Sequence, residues 1–253
     1  MRSQLRPLCF GLMALGLVTA SPLLAPALAE SQGQVTAAAQ GTALSVEQAR
    51  AAATRILEAV KRGDANARFT QFAPELQAVT SPSMIAATMR SQPKLLGYTL
   101  LSVRRGLASS TVEAEIRTAA GERVVFMVLN PKGLIERYYF DRADDDASKV
   151  ALQFVKAISS GNYISAQSFL SPLVQQELSP ATLQARWGEL ERETGRFVSV
   201  GRAVEADSTP EMRLVLVNVS FNRLSDNLFV ILNSSNQITG LDFPQTVKPA
   251  PVP

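Results

Sequence analysis

Proton transfer is the chemistry that the ionisable residues of this chain could most readily perform. Four tyrosines, Tyr98, Tyr138, Tyr139 and Tyr163, accompany many carboxylates, and there is no histidine. A tyrosine beside a desolvated Asp or Glu could move a proton at a carbon acid. Nucleophilic catalysis is harder to build. The single cysteine, Cys9, lies in the leading segment, so Ser-His-Asp triads, Cys-His pairs and the common zinc sites have no ligands or bases to draw on. No G-x-S-x-G elbow occurs. The two halves of the chain also offer no pair of carboxylates at matching inward positions.

Other clusters have simpler explanations. Asp141, Asp144, Asp145 and Asp146 could hold a hard cation, yet they lack the Asp-x-Asp-x-Asp-Gly spacing and directly precede a helical pattern, where acids cap the first turn. Arg104, Arg105, Lys61 and Arg62 could bind an anion, or stand as solvated surface charges. Trp187 is at core spacing on a helix, where it packs, although a pocket aromatic could also stack on a ligand. The residues best placed to line a pocket between helices and sheet are Phe69, Met89, Tyr98, Tyr163, Phe169 and Trp187. Their character points to a small apolar ligand or a protein partner, with no cofactor and no metal.

The elements that position these residues occur twice. Residues 47–97 lie over 145–195 at a constant shift of 98. Ala49, Ala52, Ala53, Ile56, Leu57 and Val60 match Ala147, Val150, Ala151, Phe154, Val155 and Ile158, each set an apolar stripe at helical spacing. Gly63 and Gly161 follow as C-terminal residues that tolerate positive φ. Pro74 matches Pro172, and Ser81-Pro82 matches Ser179-Pro180, an N-cap followed by a proline in the first turn. These later helices carry Ile85 and Met89, or Leu183 and Trp187, and are expected to stop before Gly97 and Gly195.

Beyond the glycines the period changes to two. Val112, Ala114 and Ile116 alternate with charged residues, and Val215, Val217 and Val219 repeat them at a shift of 103. The five extra residues are expected in the hairpin around Glu205 and Glu211, because loops absorb insertions. Apolar strands follow at 124–129 and 228–232, then the turns Asn130-Pro131-Lys132-Gly133 and Asn233-Ser234-Ser235-Asn236, then strands ending at Phe140 and Phe243. The fold class is α+β: two tandem modules, each with about three helices on a curved antiparallel four-stranded sheet. In the second module Leu214, Leu216 and Val230 or Ile231 make both sheet faces partly apolar, which points to a covering partner, nearest of all the sister module.

Residues 1–29 read as a signal peptide. Arg2 and Arg6 precede an apolar run at 8–20, and Ala27-Leu28-Ala29 offers a small-x-small cleavage site. Pro22 and Pro26 break the stretch below the ~20 residues of a bilayer span. The protein is therefore expected in the bacterial periplasm or outside the cell, without membrane attachment after cleavage. Residues 30–44 form a flexible linker, 45–141 and 142–243 the two modules, and 244–253 a proline-rich disordered tail. After cleavage 23 basic residues face 22 acidic ones, with no basic and aromatic stripe, so nucleic acid is not an expected partner. The modules differ in sign: 44–140 carries 13 basic and 8 acidic residues, and 141–243 carries 9 and 13, which favours intramolecular pairing of the two modules.

The second copy, through Ala147, Gly161-Asn162, Leu178-Ser179, Trp187, Gly195-Arg196-Phe197 and Ile238-Thr239-Gly240-Leu241-Asp242-Phe243, resembles the bacterial domain of unknown function 3887. The first copy resembles a diverged member, with Met89 in place of the tryptophan and Glu136-Arg137 in place of the last strand's Thr-Gly. The resemblance implies a cone-shaped fold similar to the nuclear transport factor 2-like (NTF2-like) superfamily, whose helices and curved sheet enclose a pocket. That superfamily includes binding modules, dimerisation domains and some enzymes. Domains of this kind often precede an exported α/β-hydrolase. The expected function is a non-catalytic binding or scaffold role. The alternatives are a proton-transfer enzyme using a pocket carboxylate and tyrosine, an accessory module for an exported hydrolase, and a spacer whose pockets are filled by side chains.

Overall fold

A computed structural model describes residues 42–242. The expected signal peptide, most of the linker, Phe243 and the proline-rich tail lie outside these residues. The first half runs α1 (Val46–Arg62), α2 (Ala65–Thr70), α3 (Pro74–Gln77) and α4 (Pro82–Ser91), then β1 (Leu95–Arg105), β2 (Ser110–Thr118), β3 (Gly121–Leu129) and β4 (Ile135–Phe140). The second repeats this order with α5 (Ala147–Ser159), α6 (Tyr163–Gln167), α7 (Pro172–Glu177) and α8 (Pro180–Thr194), then β5 (Phe197–Ser208), β6 (Met212–Phe221), β7 (Ser225–Asn233) and β8 (Ile238–Asp242). Each sheet is a four-stranded antiparallel meander in chain order. The α+β class with two such modules is as the sequence indicates, except that each half has four described helices where about three were expected, because a one-turn helix separates the others.

Local chemistry sets the boundaries. Ser45 caps α1 by accepting from the Gln48 amide, and the Gln48 side chain accepts from the Ser45 amide, a reciprocal pair that satisfies two otherwise orphaned donors. Gly63 ends α1 in the left-handed region at φ 72°, and Gly161 takes φ 75° at the matching place. Ala43 and Leu44, the last residues assigned to the linker, are buried, and the Leu44 carbonyl accepts from Arg105 Nε at 2.9 Å.

The five-residue offset is not where the sequence puts it. Helices α4 and α8 start 98 positions apart, but α8 has 15 residues against 10 in α4, and β1 and β5 already start 102 apart. The additional length is thus helical and does not lie in the 205–211 hairpin. Gly195 ends α8 at φ 92°, whereas Gly97 lies inside β1, so the two glycines are not equivalent. The longer helix buries Leu183, Trp187, Leu190 and Thr194, while α4 buries Ile85 alone.

Two devices recur at the helix-to-sheet junction. Gln77 Nε2 donates to the carbonyls of Phe69 and Phe72 at 3.2 and 2.8 Å, and Gln175 Nε2 donates to those of Gln167 and Leu170, both at 3.0 Å. The segment behind each of these loops makes a single parallel bridge to the last strand, Phe72 to Ile135 and Leu170 to Ile238. These bonds supply the loop's backbone partners inside a half-buried turn, where an unpaired carbonyl would be costly. Strands β1 and β5, at the other sheet edges, carry two and three register shifts.

Candidate functional site

The six residues expected to line pockets fall into two groups of three, and both groups join cores. Phe69 on α2, Met89 on α4 and Tyr98 on β1 pack half-buried against the first core. Tyr163 on α6 packs half-buried against the second, while Phe169 and Trp187 are buried within it. The Trp187 ring lies 5.8 Å from Phe197 and 5.9 Å from Phe221, which are themselves 6.2 Å apart edge to face. This triad fills the space between α8 and the sheet. Phe169 meets Phe154 edge to face at 6.5 Å and carries the Arg142 guanidinium 4.0 Å above its ring.

Of the expected pocket tyrosines, Tyr98 is hydrogen-bonded to a carboxylate, Glu58, while Tyr163 lies within the electrostatic reach of Glu191. The phenol donates to Glu58 Oε1 at 2.8 Å. Burial, then the Glu58 bond, push the Tyr98 phenol above its ordinary value. The Glu58 side chain is 37% exposed and faces Arg62. A water-accessible carboxylate of this kind is not the desolvated base that proton abstraction at a carbon acid needs. The depression beside Gly97, Tyr98, Thr99, Glu115, Arg117 and Glu122 is small, about 60 Å³.

Three of the four acids between the modules do structural work. Asp146 Oδ1 accepts from the Lys149 amide as the cap of α5, and Asp141 Oδ1 from the Ala143 amide. Asp145 bridges Arg123 at 3.0 Å and Arg142 at 3.2 Å. Arg142, only 4% exposed, sits between Phe140 and Phe169, the rings of two modules. Burial lowers its guanidinium to about 10, with Arg123 adding repulsion and Asp145 opposing both. Asn236 closes the junction: its Nδ2 donates to the carbonyls of Arg142, Ala143 and Asp145 at 3.1, 3.2 and 2.7 Å, and its Oδ1 accepts from Arg213. The sequence places Asn236 in a turn without a role at the junction, and gives Arg142 none. The signal was present for Asn236, which sits 103 positions after Gly133. Both take a left-handed backbone, and asparagine tolerates this best after glycine.

Further contacts link the modules. Ile164 of α6 is buried in the first core, Asn162 Nδ2 donates to Thr88 Oγ1 at 2.9 Å, and Gln175 Nε2 reaches the Tyr138 carbonyl at 3.5 Å.

The outer sheet faces remain open. On the first, Phe126 and Tyr139 stack with ring centres 4.8 Å apart and planes 14° from parallel. Burial raises the Tyr139 phenol, while neighbouring Arg104 and Arg137 pull it down. On the second, the cross-strand row Val204, Leu216, Phe229 and Asp242 lies beside the row Leu214, Ile231 and Gly240. Val204 is 45% and Phe229 39% exposed, so the sister module does not cover this face, contrary to the expectation from its apolar pattern. An open depression of about 550 Å³ is lined here by Arg202, Val204, Leu216, Asn218 and Asn227. Val230, left open as an outward residue by the sequence, points into the core, and Ile231 takes the outer face.

Residues 151–241, all in the second module, match the family model described as protein of unknown function (DUF3887). No curated protein matches the chain. Among solved structures, a cystatin-like protein from Ruminococcus gnavus ATCC 29149 is similar at 12% identity, over 78% of this chain and 90% of that one, with a TM-score of 0.28.

Proposed function

We propose that this chain, whose second module carries the DUF3887 match, is an exported non-catalytic binding module that engages a protein partner on an open sheet face. What supports the reading is that the spaces expected to hold a ligand are taken up by the chain's own side chains, above all by Trp187, Phe197 and Phe221. The outer face of the first sheet offers the remaining contact chemistry. Its stacked Phe126 and Tyr139 are flanked by Arg104 and Arg137, and aromatic and arginine side chains supply most of the energy at protein interfaces. The partner is an exported protein presenting acidic and apolar groups. Among the described residues no helix is long and apolar enough to cross a membrane.

The test is native mass spectrometry of residues 30–253 purified gently from the host after mild cross-linking. The expected result is no retained small molecule and a protein adduct that Tyr139→Ala diminishes. A co-purified small apolar molecule would return the reading to a ligand pocket. The proton-transfer alternative finds a tyrosine and carboxylate in Tyr98 and Glu58, but Glu58 is exposed to water and the depression beside Tyr98 is only about 60 Å³.

A further inference from the structure

The outer face of the second sheet has an arrangement that a single copy leaves unused. Leu216 and Phe229 oppose each other on the two central strands, with Leu214 and Ile231 in the next row. Arg202 lies on β5 at one edge and Asp242 on β8 at the opposite edge, both exposed. Asp242 shares the row of Phe229, and Arg202 lies one row away, beside Asn218 and Asn227. Among the described residues neither is in an ion pair.

A two-fold axis lying in the plane of this face and parallel to its strands exchanges the two edges. It sets β5 of one copy over β8 of the other. Leu216 then meets Phe229 of the second copy, and Arg202 meets the opposite charge of Asp242, each contact occurring twice. The face is therefore complementary to itself about that axis.

We propose that the protein self-associates through this face into a sheet-on-sheet dimer. The two meanders pack with their strands nearly aligned, at the angle set by sheet twist. Four strands about 4.8 Å apart and some eight residues long give a patch of about 19 by 25 Å. Paired with a second copy this buries about 1,000 Å² in all, at the lower end of specific interfaces, the size of a weak, reversible contact.

Sedimentation velocity of residues 30–253 from about 1 to about 500 µM reads this out. The expected result is a reversible monomer–dimer equilibrium. Phe229→Ala, Arg202→Asp and Asp242→Arg should each weaken it about tenfold or more, while Trp187 fluorescence stays unchanged as a check on folding. Combining Arg202→Asp with Asp242→Arg should restore association, because the exchanged charges meet again across the same axis. A chain that stays monomeric throughout overturns the proposal. So does a dimer indifferent to Phe229→Ala, or one that the double reversal fails to rescue. A full-length monomer that dimerises once residues 244–253 are removed would assign the face to the chain's own tail, and the proposal would fall.

Discussion

Helices α2 and α6 hold the same place in the two modules, yet α2 buries none of its residues fully and α6 buries four. The backbone devices around them are the same, down to the paired glutamine bonds of Gln77 and Gln175. What differs is the neighbour. Helix α6 sends Ile164 into the first module's core, whereas α2 keeps polar, exposed Asn66 at the position equivalent to Ile164. A repeated unit thus supplies its own fold twice, and side chains at one helix decide which copy is covered.

The comparison breaks most sharply in the cores. Trp187→Ala should cost about 3–5 kcal/mol, as large aromatic deletions in well-packed cores do, whereas Met89→Ala at the matching position, half-buried, should cost about 1 kcal/mol. Urea unfolding followed by circular dichroism measures both, and similar losses would mean that the two modules are packed alike. Next comes the shared surface. Ile164→Ala should cost about 2–4 kcal/mol and Asn66→Ala within about 0.5 kcal/mol; a neutral Ile164→Ala in the same unfolding assay would show that α6 is not held by the first core.

The turns sharpen the contrast further. Asn236→Gly keeps a residue suited to φ 53° and removes the side-chain bonds to segment 142–145 and to Arg213, so about 1–3 kcal/mol should be lost, readable as a lower melting temperature. A neutral result would show that the ion pairs of Asp145 with Arg123 and Arg142 hold this segment without it. The smallest effect belongs to Tyr98→Phe, roughly 0.5–1.5 kcal/mol for one part-buried hydrogen bond. Because the folded phenol titrates above its unfolded value, its contribution is complete below pH ~10 and fades as pH rises through the folded value. The difference between wild type and Tyr98→Phe should shrink over that range; a difference that grew would reverse the sign of the shift.

Much of this architecture can be read from local chemistry. Apolar spacing located α1 and α5, and Ser81, Ser179, Gly63 and Gly161 marked ends that hydrogen bonds and backbone angles now explain. The extension of α8 escaped notice because a glycine reads as a breaker whether it ends a helix or sits within a strand, as Gly195 and Gly97 do. The interior escaped for another reason. Aromatic residues facing a sheet are compatible with a lined hollow or a filled one, and only the mutual distances of Trp187, Phe197 and Phe221 decide. The outer apolar face was partly visible, since Leu214 and Leu216 break the polar half of the alternation, but its two charged edges come together only when β5 and β8 are placed at opposite sides of one sheet.

The parallel bridges at Ile135 and Ile238 carry a consequence for aggregation. A sheet normally advertises its last strand as a template on which further chains can add, and runaway fibrils grow by that route. Here the incoming chain segment at Phe72 or Leu170 already occupies part of that template, and on the other side the register shifts of β1 and β5 spoil the regular spacing that a new strand would need. Edgewise growth is closed on both flanks, so the molecule can leave an apolar sheet surface open to a single stacked neighbour without inviting an endless row of them.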